Sequence, residues 1–203
     1  MRFLSALVRA SLATPVLSLP LSPRQGEEPL CMTAPEMDEI IEAYRLIIAE
    51  YTEEVAAKYL SKDFVDISQS INAFIHQPLD GPTFPTKEVF MEVQSWNQHF
   101  PIEILSVDAR DCDAVALQWV ASFGEANLPS KGITIMKMVV EEGMWKILSI
   151  EVEFNALTWL LNMGGSYTWE GKTWTPQNPD PSLLGESPEA VVDEVEAEFE
   201  LEG

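Results

Sequence analysis

The sequence predicts an α+β fold in which a strongly curved antiparallel sheet wraps around helices and leaves a pocket between them. Three observations carry this. A long amphipathic helix comes first, with apolar residues at Met37, Ile40, Ile41, Tyr44, Ile47, Ile48, Tyr51 and Val55; this is the three-to-four spacing of one buried stripe. Four strand-like segments then run in succession from Ile102 to Phe154. After them a short apolar segment, WLLNMGG, is closed by paired glycines.

The first helix starts near Thr33, where Thr33-Ala34-Pro35-Glu36 has the form of a capping box with proline in the first turn. A short turn over Leu60 to Asp63 leads into FVDISQSINAFI. There Asp66, Ser68, Ser70 and Asn72 alternate with Val65, Ile67 and Ile71, which predicts strand character for part of the segment with the polar set on one face. The loop HQPLDGPTFP follows, and Thr86 is placed to cap a second helix that buries Val89, Phe90, Val93 and Trp96.

The strands are expected at Ile102 to Arg110, Ala114 to Phe123, Gly132 to Val140 and Trp145 to Phe154. Val115, Leu117, Trp119, Ala121 and Phe123 share one face of the second. In the fourth, Leu148, Ile150, Val152 and Phe154 share one face and Ser149, Glu151 and Glu153 the other, the pattern of half-buried antiparallel strands. Glu142-Gly143 is the tight turn of the last hairpin. Asn155 is placed to cap a final short helix, with Gly164 as its left-handed stop.

Charge limits the partners. The 203 residues hold 33 acidic and 12 basic side chains, for a net charge of −21. Three of the basic residues (Arg2, Arg9, Arg24) lie in the first 25 positions. From Gly26 onward, nine basic residues face 33 acidic ones, or −24. Such a surface repels phosphate backbones and anionic lipid, so neither nucleic acid nor membrane is an expected partner.

The N-terminus, MRFLSALVRASLATPVLSLPLSPRQ, reads as a secretory leader over residues 1–25, with an unstructured tail as the alternative. Arg9, Pro15 and Pro20 break any apolar run long enough to span a bilayer. Secretion is the expected location. The two cysteines, Cys31 and Cys112, then pair most simply as one disulfide. Closing so long a loop contributes about 3–5 kcal/mol in the chain-entropy model, an upper figure. Two separate buried thiols are the alternative. Past Gly165 the chain turns rich in proline, glycine and polar residues and reads as an extended tail over 166–203. It ends in eight acidic residues without a basic one between Glu186 and Gly203, where disorder is expected.

Several blocks resemble the NTF2-like domains of secreted proteins of filamentous fungi: FVDISQSINAFI, QPLDGPTFPTKEVFMEVQ, FPIEILSVDARDCDAVALQWVASFG, KGITIMKM and WKILSIEVEFNALTWLLNMGG. Together they cover roughly residues 31–165, the expected domain. The resemblance implies a cone of helices packed into the curved sheet, a pocket at its open end and dimerisation through the sheet's outer face. Its superfamily spans isomerases, dehydratases, cyclases, epoxide hydrolases and purely binding members, so fold alone does not name a function.

The resemblance also implies an acid or base on the first strand after the helices, and Asp66 stands there with Ser68 and Ser70 beside it. In an apolar cone such a carboxyl has a raised pKa and can shuttle a proton; the alternative is a hydrogen-bonding role at the domain rim. His76, beside the proline-rich loop, is its most plausible partner base, since imidazole titrates near neutrality. A plain surface histidine is the alternative, and His99 is the only other one. Tyr44, Tyr51, Trp96, Trp119, Phe123 and Trp159 are the expected lining for a small apolar or aromatic ligand, with simple core filling as the alternative for each.

No metal or cofactor is expected. The sequence lacks HxH spacing and a G-x-S-x-G nucleophile turn. Three functions follow in order: a secreted binder of a small apolar molecule; a cofactor-independent lyase or isomerase working through Asp66 and His76; and an extracellular interaction module or effector.

Overall fold

The computed structural model describes residues 31–97 and 99–179. The capping box forms as read: the Thr33 hydroxyl accepts from the Glu36 amide, and the Glu36 carboxylate accepts from the Thr33 amide at 2.7 Å. It starts α1 (Ala34–Ala49), which buries Met37, Ile40, Ile41, Tyr44 and Ile47. The apolar stripe continues to Val55, but the helix does not. Thr52 caps a new helix, α2 (Glu53–Tyr59), through the Val55 amide. Tyr51 lies in the break, half-buried.

Leu60 to Asp63 is not a turn. Strand β1 (Leu60–Ile67) begins at once, but its ladder is interrupted between Leu60 and Val65. The bulge carries the exposed Lys62 and Asp63, which is why this stretch has turn-like composition. The strand also ends sooner than the polar alternation predicts. Ser68 accepts from the Ile71 amide at 3.0 Å and caps α3 (Gln69–Ile75). The Glu153 carboxylate takes the amides of Gln69 and Ser70 and the Ser70 hydroxyl. Serine competes with the ladder by capping, so Ser70 and Asn72 fall on a helix rather than on a strand face.

After the proline-rich loop, Thr86 caps α4 (Lys87–Trp96) as read. Only Phe90 of its expected apolar side is buried; Val93 is half-buried, Val89 exposed, and Trp96 is 68% exposed. Phe90 meets Phe64 and Phe84 edge-on, with ring centres 5.0 and 5.7 Å apart. The rest of the helix runs past the core.

The four predicted strands are present as β2 (Ile102–Arg110), β3 (Ala114–Ala121), β4 (Ser130–Glu141) and β5 (Met144–Phe154). They form an antiparallel meander, and β1 adds to it in parallel beside β5, giving the order β1-β5-β4-β3-β2. The sheet is thus mixed rather than wholly antiparallel. Glu142 and Gly143, at φ 54° and 80°, make the last hairpin turn. Along β5 the inward face is not continuous: a bulge inserts Leu148, so Ile147 is buried in its place and the phase resumes at Ile150 and Val152.

Asn155 caps α5 (Ala156–Asn162) by accepting from the Leu157 and Thr158 amides, and Gly164 follows at φ 83°. Cys31 and Cys112 are bonded, and the Met32 amide donates to the Cys112 carbonyl beside them. The stretch read as an extended tail opens with a small hairpin, β6 (Tyr167–Trp169) and β7 (Lys172–Trp174). The expected leader and the acidic C-terminal run lie outside the described residues. Among the described residues no helix is long and apolar enough to cross a membrane.

Candidate ligand site in the cone

Alternation along β4 turns Ser130, Gly132, Thr134, Met136 and Met138 inward. Gly132 faces Trp119 across the β3–β4 ladder, and a Cβ there would lie 2.2 Å from the indole. Glycine is needed because the indole occupies the space that a Cβ would take. In that position the Trp119 indole N–H donates to the Thr134 hydroxyl at 2.9 Å. The same hydroxyl meets the Tyr44 hydroxyl of α1 at 2.8 Å. Trp119, Thr134 and Tyr44 are all buried. They form a polar chain on the floor of the helix–sheet interior.

Asp66 belongs to this interior. It follows the buried Phe64 on the inward side of β1 and is 3% exposed. Its main chain pairs with the proline-rich loop: the amide donates to the Phe84 carbonyl at 3.0 Å, and its carbonyl accepts from Thr83 and Phe84. One side-chain oxygen, Oδ1, has no hydrogen-bond partner among the described residues. Burial pushes the carboxyl up to about 7, against a downward pull from the Thr83 hydroxyl. Burial also pushes the Tyr44 phenol up; Thr134 opposes this and the charge of Asp66 adds to it.

Above the floor stands an aromatic cluster. Trp159 of α5 lies 4.4 Å from Phe154, 4.6 Å from Phe123 and 4.6 Å from Phe100, centre to centre. Trp119 joins it at 6.3 Å from Trp159. Phe100, Phe123, Phe154 and Trp159 are each half-buried, so the cluster runs from the buried floor to solvent.

The expected site residues divide accordingly. Tyr44 and Trp119 are joined through Thr134, and Trp119 reaches Phe123 through Trp159, while Asp66 is buried on β1. Tyr51 sits outside this group: its hydroxyl donates to the Met91 carbonyl, and its ring stacks on His99. Trp96 is exposed at the end of α4. His76 is the exposed C-cap of α3 at φ 58°, and no hydrogen bond joins it to Asp66 among the described residues. Sequence reading missed Thr134, Thr83 and Phe100. Thr134 had a signal, since it is the polar residue on the inward side of an alternating strand. Thr83 had none, because only the loop's pairing with β1 brings it near Asp66.

Surface grooves lie elsewhere. One of about 460 Å³ runs between α1 and β2, lined by Ile41, Ile102, Ile104 and Val107 with Arg45 and Arg110 at its sides. Another of about 470 Å³ crosses the outer sheet face at Ile67, Leu79, Ile133 and Ile135. Among the described residues no group of three or more His, Cys, Asp or Glu side chains could hold a metal ion.

Solved structures resemble the chain at low identity. An NTF-2 like protein of unknown function from Silicibacter pomeroyi is 12% identical, covering 61% of this chain and 100% of its own, at a TM-score of 0.40. A Catenulispora acidiphila protein with a ketosteroid isomerase-like fold, in complex with trimethylamine, is 15% identical over 63% of this chain and 93% of its own, at 0.47. IdmH from Streptomyces antibioticus, provisionally named a polyketide cyclase, is 15% identical over 63% and 97%, at 0.46. No curated protein matches the chain. Residues 30–166 match the family model of the NTF2-like domain, and the chain belongs to that family.

Proposed function

We propose that the chain binds a small, flat molecule bearing an oxygen on an apolar or aromatic body. The oxygen sits at the floor between Asp66 and Tyr44, and the body lies against the aromatic cluster. One observation carries this reading: Asp66 is buried with an unmatched oxygen. Burying a polar atom without a partner costs on the order of 1–3 kcal/mol. The main chain of Asp66 pairs with the loop and the Thr83 hydroxyl acts on its carboxyl, while Oδ1 has no partner among the described residues. A costly group in an apolar interior beside half-buried rings is what a ligand site requires. Since the rings touch one another, binding needs Trp159 to give way, and the short helix α5 carries it.

The site of action is extracellular in this reading, as the leader-like N-terminus and the Cys31–Cys112 bond support. The leader and the sequence blocks point to the secreted fungal branch of the family. Pairing with a second copy through the outer face, where Ile133 and Ile135 are exposed, belongs to the same reading. Thermal shift with aryl ketones and phenols, 1-tetralone and 2-naphthol first, tests the binding. Ligand-dependent stabilisation that Asp66→Asn removes is expected. A panel without effect, or equal effects in both proteins, counts against it.

The carboxyl's position near 7 favours a second reading, proton transfer by Asp66 on a bound carbonyl compound. Deuterium exchange at the α-carbon of 1-tetralone, followed by NMR in heavy water, separates the two. Exchange above the buffer rate that Asp66→Asn abolishes makes the protein a catalyst; binding without exchange leaves it a carrier.

A further inference from the structure

Two segments adjoin the proposed site, and they are fastened differently. Helix α5, which carries Trp159, is tied at both ends to the 124–131 segment. At its start the Asn155 amide donates to the Lys131 carbonyl at 3.0 Å, and the Ser130 hydroxyl donates to the Asn155 carbonyl at 3.1 Å. At its end the Glu125 amide donates to the Asn162 carbonyl at 3.0 Å, and the Asn162 side chain exchanges two bonds with Leu128. Gly124, at φ 68°, allows so close an approach that a Cβ there would lie 1.8 Å from the Asn162 carbonyl oxygen.

The 77–86 loop has less to hold it. Thr83 is its only buried residue. Thr83 and Phe84 pair with the main chain of Asp66, and the Thr83 hydroxyl accepts from the Ser68 amide at 2.7 Å. Further along, the Asn72 side-chain amide reaches the Pro78 and Gly81 carbonyls, each at 3.0 Å. Asp66 and Asn72 are also the two residues with a buried side-chain oxygen, Oδ1 in each, that has no partner among the described residues. Both fasten the loop, so the closed loop keeps two acceptors buried at a cost. Lifting it exposes them to water and offsets part of the bonds lost. Helix α5 offers no such return, since the buried Ser130, Thr158 and Asn162 side chains around it are all bonded. The loop also runs between two caps, His76 ending α3 and Thr86 starting α4, so it can lift without unwinding either helix.

We infer that the 77–86 loop is the lid of the site: it opens as a unit away from β1 while α5 stays fastened, and a ligand reaches Asp66 beneath it. The ligand in this statement rests on the small-molecule reading above; the motion does not. Trp159 then makes room for the ligand's body by moving its side chain on a helix that keeps its place.

Hydrogen exchange on the full chain, followed by NMR, tests it. The loop reporters are the amides of Asp66, Ser68, Thr83 and Phe84, each bonded between the loop and the segment that starts at β1. The α5 reporters are the amides of Glu125 and Leu128, both bonded to Asn162. The four loop amides are expected to share one opening and to exchange about 100-fold more often than the α5 pair. Equal protection in both sets, or faster exchange at Glu125 and Leu128, overturns the lid. Asn72→Ala removes two of the fastenings and should speed the loop amides about tenfold with the α5 pair unchanged. Equal acceleration of both sets means that the loop opens only with the whole domain, and also overturns it. With 2-naphthol at ten times its Kd, a ligand enclosed by the loop slows the four loop amides about tenfold. Bound naphthol that leaves them unchanged overturns entry beneath the loop. If naphthol does not bind, the small-molecule reading and the route of entry fall together, while exchange in the protein alone still decides whether the loop opens.

Discussion

Two buried polar side chains in this domain follow opposite rules. Asn162, at the end of α5, is 1% exposed and matched at both its nitrogen and its oxygen: its amide donates to the Leu128 carbonyl and its oxygen accepts from the Leu128 amide, both at 2.8 Å. Asp66 is as deeply buried yet keeps an unmatched oxygen and a carboxyl held near neutrality. The first is architecture, since it ties α5 to the loop before β4 and leaves nothing for a ligand. The second costs the fold and, in the proposed reading, is the group left for a ligand. In that reading, satisfaction of hydrogen bonds, more than depth, separates structural from functional polarity.

The largest effect that sharpens this contrast is with pH. The folded pKa of Asp66 is raised from 3.8 to about 7, so folding takes up a proton between those values. Its contribution to stability is fully present below about pH 3.8 and is lost as pH rises through about 7. At about 1.4 kcal/mol per pKa unit the ceiling is about 4 kcal/mol. Denaturant melts of wild type and Asp66→Asn should therefore nearly coincide at pH 4 and diverge towards pH 8, with the variant the more stable. The subtraction cancels carboxylates with lowered pKa, such as Glu141, which trend the other way. A difference independent of pH would break the contrast from the Asp66 side.

Asn162→Ala tests the other side. It strands the buried Leu128 amide and carbonyl, and about 3 kcal/mol should be lost, measured by urea melts at pH 6. Asn72 lies between the two cases. Its amide donates to the carbonyls of Pro78 and Gly81, while its Oδ1 has no partner among the described residues. Asn72→Ala should cost about 2 kcal/mol and raise proteolytic cleavage in the 77–86 loop. Asn155→Ala, which removes the α5 cap, should cost about 1 kcal/mol and leave the pH profile unchanged. A loss as large as that from Asn162 would mean that the cap, not the amide pair, anchors α5.

Much of the fold was legible because it is written locally. Capping by Thr33, Thr86 and Asn155, the inward set of β3 and the Glu142-Gly143 turn all depend on neighbours within a few residues. The failures share a cause. The break at Thr52, the bulges in β1 and β5 and the stop at Ser68 each keep the apolar pattern nearly intact while changing its phase or geometry. Periodicity is blind to an inserted residue when a long-range partner decides which side chain is extra. The candidate site was legible in parts: Asp66, Tyr44 and Trp119 were each visible, and the Thr134 hydroxyl that joins Tyr44 to Trp119 was not.

By itself the sequence determined the element types, the acidic surface and the residues able to face inward, because propensity, charge and alternation are properties of short segments. Only the tertiary structure decided which inward polar groups find partners. Gly132 lets an indole reach Thr134, Thr134 reaches Tyr44, and Asp66 is left with an open oxygen. Hydrogen bonds between α1, β3 and β4 depend on distances that no local pattern encodes, and in a buried interior those distances decide which polar groups are matched.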